Sequence, residues 1–324
     1  MKKGLMFLAL AAMGLASCNG GFEKGDGGML YKIINDKGGP KIKPGDFVSL
    51  NFTIKNDADS VLASSYDMGH AIPQLMPAKS TIKGDIMSGI AMLSEGDSAI
   101  IKVNIDTMSK GHPRQPGLKG KYMAYTIKIE KVIPKGNLSD QEFAAKYQGY
   151  MKGLADASKQ AEPAAIKKYI ADNNLKVTTT ASGLNYVVTT KGTGPNIAVG
   201  DTAVVNYTGR FLNGKAFETS VKAEAVKYKL PINPMNPYKP IRFPLGVQGM
   251  IQGWNEGFLL FNKGTKATLV IPSSLAYGEQ GSREIQPFTP LVFDVELVDI
   301  IHPNPNAPKP APVMPSAPQA QPVK

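Results

Sequence analysis

The side chains that most often do nucleophilic or metal chemistry are scarce in this sequence. Its 324 residues contain one cysteine, Cys18, and three histidines, His70, His112 and His302. A single thiol excludes an intramolecular disulfide and a cysteine-rich metal site. The histidines lie far apart, none at metal-ligand spacing and none with a cysteine nucleophile beside it in the folded body, so hydrolase and metalloenzyme readings lose their chemical basis. Gly192, Gly194 and Gly200 lack G-x-G-x-x-G spacing and open no helix, so no dinucleotide site is supported and no cofactor is expected. What remains is aromatic: Tyr207, the lone tryptophan Trp254 and Tyr277, with the carboxylate Glu218 between them in the chain. Such side chains present an apolar body with one polar end, suited to a cleft that binds an apolar group and holds a carbonyl.

The elements that must position these residues occur twice. Pro44-Gly45-Asp46-Phe47-Val48-Ser49-Leu50-Asn51-Phe52-Thr53 parallels Val199-Gly200-Asp201-Thr202-Ala203-Val204-Val205-Asn206-Tyr207-Thr208, and Gly45 to Gly200 is 155 positions. Gly89–Ala99 parallels Gly257–Ala267, and Tyr125–Ile133 parallels Phe293–Ile301, each at 168, so the second copy carries a net insertion of 13 residues. Val48, Leu50, Phe52 and Ile54 alternate on one strand face, as do Ala203, Val205 and Tyr207, and Leu291, Phe293, Val295 and Leu297. Ile251, Trp254, Phe258 and Phe261 recur on one helix face. Gly96 and Gly264 read as left-handed caps closing a short helix in each copy. Each copy is therefore expected to be α+β, an antiparallel sheet with a helix laid across it.

Between the copies, Ser139 and Glu142 form a capping-box signal ahead of a stripe of Phe143, Tyr147, Tyr150 and Leu154. A second helix is expected from Pro163, carrying Ile166, Tyr169 and Ile170 and ending at Asn173 or Asn174. These helices serve as a spacer, a docking arm or a dimer interface. At the start, Lys2 and Lys3 precede an apolar run from Leu5 to Leu15, the pattern of an export signal and too short to span a bilayer comfortably. Leu15-Ala16-Ser17-Cys18 resembles the lipobox of bacterial lipoproteins, which implies cleavage after residue 17 and acylation of Cys18. The formal charge of +11 becomes +9 when Lys2 and Lys3 leave; it is dispersed, and a nucleic-acid partner is not expected. The expected organisation is a signal peptide (1–17), a flexible tether (18–29), a first domain (30–135), a helical linker (136–180), a second domain (181–301) and a Pro-rich tail (302–324) without packed structure.

In the second copy, Val205-Asn206-Tyr207-Thr208-Gly209, Gly214-Lys215-Ala216-Phe217-Glu218-Thr219-Ser220, Gly253-Trp254-Asn255-Glu256-Gly257, Leu275-Ala276-Tyr277-Gly278 and Leu291-Val292-Phe293-Asp294-Val295-Glu296-Leu297 follow one another. Together they resemble the FKBP family of peptidyl-prolyl cis-trans isomerases across Gly183 to Ile301. The resemblance implies catalytic roles for Tyr207, Phe217, Glu218, Trp254, Tyr277 and Phe293, with Trp254 as the floor under a proline ring. It implies substrate contacts from Ile241, Phe243, Met250, Ile251 and Ile285, and places the Tyr277 phenol and the Ile251 N–H on substrate carbonyls. The family carries an aspartate at Glu218, usually an aromatic at Ile241, and commonly a smaller branched residue at Met250, so these departures point to altered sequence preference.

The first copy aligns Ile86 with Trp254, Ser109 with Tyr277 and Phe52 with Tyr207, and is expected to be FKBP-like without isomerase activity. It binds unfolded chains, pairs with another copy or extends the anchor. Between Ser220 and Pro240, Pro231, Pro234, Pro237 and Pro240 recur every third residue, the period of a polyproline II turn. That segment is either a lid or competitor at the pocket rim or a semi-rigid loop in solvent. The expected function is an isomerase on proline-containing unfolded or nascent exported polypeptides, lipid-anchored in a bacterial cell envelope at an outer membrane, periplasmic or surface face. A macrolide ligand and a homodimer stay open, and the competing reading is a proline-segment-binding holdase without relevant catalysis.

Overall fold

A computed structural model describes residues 21–68, 70–77, 82–109, 114, 120–232, 235–247, 249–282 and 285–303. The signal peptide, the lipobox with Cys18, His112, Pro234 and the tail from 304 onward lie outside the described residues. The chain divides into two units between Asp156 and Ala157.

In the first unit, strands β1 (Leu30–Asn35), β2 (Phe47–Asn56), β3 (Val61–Ser64), β4 (Ile72–Leu75), β5 (Ser98–Asn104) and β6 (Tyr122–Ile133) accompany a short helix, α1 (Ile86–Ile90), with two further helical turns at Ser65–Met68 and Ile105–Ser109. Their order is β1-β5-β6-β2-β3, with β4 also on β2, and every pairing is antiparallel. Asp85 starts α1 by accepting hydrogen bonds from the Ser88 N–H and hydroxyl at 2.8 and 2.7 Å. The alternating face of β2 lies where the sequence puts it, with Val48 and Leu50 buried and Phe52 packed against the same core.

The linker is one continuous helix, α2 (Asp140–Asp172), with Pro163 inside it, and not the two helices expected. Pro163 forgoes one backbone hydrogen bond, but Ala157, Ala161, Ala164 and Ala165 around it are strong helix formers. Its start is as expected: the Glu142 carboxylate accepts from the Ser139 N–H and hydroxyl at 2.9 and 2.7 Å. Its first half belongs to the first unit, where Phe143, Tyr147 and Tyr150 cover Phe47 and Ile133, and Tyr147 stacks on Phe47 at 5.4 Å. In the second unit, Ile166 and Tyr169 cover Val270 and Val292 on the outer sheet face. The aromatic stripe thus closes sheet faces of the same chain.

In the second unit, β7 (Asn185–Thr190), β8 (Thr202–Phe211), β9 (Ala216–Thr219), α3 (Lys222–Lys227), β10 (Ile241–Pro244), α4 (Gln252–Phe258), β11 (Lys266–Ile271) and β12 (Leu291–Ile301) follow. The order β7-β11-β12-β8-β9, with β10 on β8, repeats that of the first unit. Even the irregularity repeats: β2 bulges against β6 between Ser49 and Leu50, and β8 against β12 between Val204 and Val205.

Three expectations change. Gly96 and Gly264 have positive φ, but α1 ends at Ile90 and α4 at Phe258. They turn the chain into β5 and β11, each donating its N–H across the sheet, Gly96 to Ile129 and Gly264 to Leu297. The end of the expected tether takes part in the fold, since Glu23–Lys24 pairs with β1 and Met29 is buried, while most of residues 21–28 stay exposed. The segment before Pro240 is not one polyproline turn, because it opens with α3 and Tyr238 has a φ of 47°, far from the −75° that helix requires.

Candidate functional site

The site begins where α4 lies on the sheet. A Cβ on Gly253 would stand 2.5 Å from the Ile271 side chain, so glycine lets the helix approach β11 closely and sets Trp254 down among the strand residues. The Trp254 ring meets four others: Tyr207 and Phe293 at 5.2 Å, Phe243 at 5.4 Å and Phe258 at 5.5 Å. Three of these pairs are edge-on, the arrangement ring quadrupoles favour, and each adds about 0.5–1.5 kcal/mol beyond its buried area. The indole N–H is buried and has no acceptor among the described residues. An unpaired buried donor costs about 1–3 kcal/mol, which an incoming acceptor would recover.

Beside this floor, Phe217 stands edge-on to Phe293 at 5.8 Å. Gly209 makes room for both rings, since a Cβ there would meet Phe217 at 2.6 Å and Phe293 at 2.8 Å. Ile285 is buried in the same cluster, and Ile241, Met250 and Ile251 pack against it partly exposed. Ile241 arrives because β10 pairs with β8, opposite Val205. The Ile251 N–H makes no hydrogen bond among the described residues and precedes the first turn of α4.

The polar rim centres on Glu218. The Tyr207 phenol is buried, and its pKa is pushed well above the ordinary tyrosine value, first by burial and then by the charge of Glu218, to which it donates a hydrogen bond. The Tyr277 pKa is also raised, by burial first and the Glu218 charge second. Both phenols therefore keep their protons, and stay donors, at neutral pH. The backbone of Tyr207 is held in turn: its N–H donates to the Ser220 hydroxyl at 2.9 Å, and its carbonyl accepts from the Thr219 hydroxyl at 2.7 Å.

Tyr277 hangs on a turn that follows a short 3-10 segment, Ser273–Leu275. The Glu162 carboxylate, from the second-unit part of α2, accepts both the Ser273 N–H and, at 2.7 Å, its hydroxyl. The Lys159 ammonium lies 5.2 Å from the Phe288 ring centroid, and Phe288 donates its N–H to the Gly278 carbonyl. All eleven residues singled out for the pocket thus fall in one neighbourhood. Sequence reasoning missed Glu162, which acts across 111 positions, and Gly209 as the space for the wall rings.

These features define a box of aromatic rings around Trp254, on an antiparallel sheet crossed by a short helix. Residues 194–298, inside the second unit, match the family model described as FKBP-type peptidyl-prolyl cis-trans isomerase. The chain is 34% identical over 200 residues to the FKBP-type peptidyl-prolyl cis-trans isomerase FkpA of Escherichia coli strain K12, covering 57% of this chain and 63% of the relative. It is 40% identical over 169 residues to a probable FKBP-type peptidyl-prolyl cis-trans isomerase FkpA of Neisseria meningitidis serogroup B, covering 52% and 55%. A crystal structure of FkpA from Escherichia coli is similar at 33% identity over 52% of this chain and 76% of that one, with a TM-score of 0.38. The chain spans less than two thirds of the length of these two curated relatives.

Proposed function

We propose that the second unit is a peptidyl-prolyl cis-trans isomerase acting on proline-containing segments of unfolded exported polypeptides. The observation that carries the proposal is the ring box on Trp254 with Tyr207, Glu218 and Tyr277 at its rim, in the stretch that matches the family model. Rotation about an X-Pro bond is opposed by a barrier of about 18–20 kcal/mol that comes from amide resonance. Lowering it requires no nucleophile and no metal. It requires a cleft that binds the twisted amide more tightly than the planar one.

In this cleft Trp254 takes the face of the proline ring, and Tyr207, Phe217, Ile241, Phe243, Met250, Ile285 and Phe293 wall it from water. A dry, apolar surround favours the twisted amide, whose charge separation is smaller than that of the planar form. The Tyr277 hydroxyl and the Ile251 N–H hold the flanking carbonyls. Glu218 fixes the Tyr207 hydroxyl by accepting its proton in a hydrogen bond. A protease-coupled cis–trans assay on proline tetrapeptides tests this directly. Acceleration that vanishes in Trp254→Ala is the expected result, and an inert wild-type protein would sink the enzyme reading. Quenching of Trp254 emission by a macrolide immunosuppressant reads occupancy of the same cleft.

The proposal extends to location. Removal of residues 1–17 and acylation of Cys18 anchor the chain in a bacterial cell envelope, at the outer membrane, because multiple acyl chains each contribute about 0.8 kcal/mol per buried methylene. Among the described residues no helix is long and apolar enough to cross a membrane. Labelled fatty acid that is incorporated into the native chain and absent from Cys18→Ser is the expected outcome; labelling of both would move the anchor elsewhere.

A further inference from the structure

The first unit has an opening of its own in the corresponding place. A cavity of about 150 Å³ is lined by Leu50, Phe52 and Ile54 of β2, Ile86 of α1 and Tyr125 of β6, among others. The register shows what each one replaces. Phe52 pairs with Ile127 as Tyr207 does with Val295, and Ile54 pairs with Tyr125 as Gly209 does with Phe293. Ile72 stands opposite Leu50 as Ile241 stands opposite Val205. With the helices aligned at 168 positions, Ile86 takes the place of Trp254. The same backbone frame therefore holds a cavity with an aliphatic floor.

The polar groups of the second site have no counterpart here. Ala63 pairs with Ile54 where Glu218 pairs with Gly209. Ser109, aligned with Tyr277, donates its hydroxyl to the Ile105 carbonyl at 2.9 Å. Gln74, the one amide in the lining, donates to the Leu75 carbonyl at 2.6 Å. The Tyr125 pKa is raised by burial. The cavity therefore carries no carboxylate, and its only side-chain polar groups are the Tyr125 phenol and the Gln74 amide. An apolar cavity on the order of 150 Å³ takes one benzene-sized group, whereas drug-sized molecules need pockets of about 300 Å³ or more.

The surroundings say what carries that group. Val61 and Leu62 on β3 and Tyr66 just beyond it are all about half exposed, at 55, 47 and 56%. β3 ends the strand order, so its outer edge is unpaired among the described residues. An exposed edge with apolar side chains beside a one-residue cavity fits an extended peptide, which contributes backbone to the edge and a side chain to the hole.

We propose that the first unit is a non-catalytic binding site for non-native polypeptide, with the cavity over Ile86 receiving one aliphatic side chain of an extended segment. It shares the partner class of the isomerase reading but uses no proline and no residue of the second unit, so each can fail alone.

The probe is a fluorescein-labelled, proline-free, leucine-containing unstructured peptide, added to the full chain. With isoleucine methyls labelled, the expected result is a shift of the Ile54, Ile72, Ile86, Ile90 and Ile127 signals on titration. Filling the cavity by Ile86→Trp, or charging it by Ile72→Asp, is expected to weaken the peptide Kd about tenfold by anisotropy. Shifts confined to Ile241, Ile251 and Ile285 would put the peptide in the second unit and overturn the proposal. Absence of binding would overturn it too. So would a concentration-dependent association of the protein that shifts the same methyls without peptide, which would make a second copy the occupant. An isomerase assay on the same preparation reads the other proposal separately.

Discussion

The first unit buries Leu93, Ile101 and Ile129 with no ring fully buried in that core, whereas the second buries Trp254, Phe258, Phe261 and Phe293. Both nevertheless close the same strand order and bulge at the same point. Backbone features common to both hold the frame. The Phe52 and Tyr207 N–H groups donate to Ser65 and Ser220 hydroxyls, each at 2.9 Å, and the Thr53–Ser64 and Thr208–Thr219 hydroxyl pairs sit on the same rungs. A core tolerates such exchange when volume and pattern are kept. Chemistry does not, because it depends on the few side chains placed over that frame. At Gly209 the second unit leaves room for two wall rings; at Ile54 the first fills it.

Making the second unit more like the first should break the comparison most strongly at the floor. Trp254→Ile installs the residue of the first unit, and kcat/KM for a proline tetrapeptide is expected to fall about a hundredfold, near 2.7 kcal/mol of transition-state stabilisation. The reverse change, Ile86→Trp, is expected to create no activity, since Ala63 and Ser109 still lack the rim groups. Turnover gained by Ile86→Trp in a Trp254→Ile background would show that the floor alone suffices. A smaller loss, about tenfold in kcat/KM, is expected for Tyr277→Ser, because one donor to a carbonyl is removed while the box stays. Loss in KM with kcat intact would make Tyr277 a ground-state contact only.

Much of this was legible in the chain because it is local or repeated. Period-two strands, the duplicated Gly-Asp turns and the Ser139–Glu142 cap are written within a few residues of one another. What was not legible depends on closure across the fold. Gly96 and Gly264 look like helix caps until the shorter helices show them to be turns. Pro163 signals a helix start, yet the alanines around it carry the helix through. The cavity over Ile86 is invisible in the sequence, where the letters show that Trp, Tyr and Glu are gone but not that their departure leaves a hole. Glu162 was one acidic residue on an exposed helix, and nothing near it in sequence names Ser273.

That contact gives a subtler break. Glu162 touches no substrate group; it positions the turn that carries Tyr277. Glu162→Gln keeps the shape and one acceptor but loses the charge-assisted pair of bonds, so kcat is expected to fall about threefold with KM nearly unchanged, a shift of about 0.7 kcal/mol. A merely structural role would lower the unfolding midpoint and leave kcat per folded molecule intact. In Tyr277→Ser the same Glu162→Gln change should cost nothing further, because the group it positions is gone.

The smallest effect concerns the proton on Tyr207, which the first unit replaces by Phe52. With its pKa raised in the fold, this phenol stays protonated where an unfolded tyrosine, with a pKa of about 10, begins to ionise. Above that pH the unfolded state binds fewer protons than the native one, so unfolding becomes easier as pH rises; below it the term vanishes. Trp254 is the only tryptophan, so denaturation followed by its emission reports the second unit alone. Tyr207→Phe is expected to cost about 1 kcal/mol at pH 8, the worth of the lost hydrogen bond to Glu218, whose carboxylate stays at an exposed rim. At pH 10.5 to 11 the variant should lose less stability than wild type, with Tyr277 and Lys227, whose pKa values are also raised, contributing to the alkaline slope in both proteins. Equal slopes would mean that the Tyr207 proton is not held by the fold, and that burial at this position is no tighter than at an ordinary strand tyrosine.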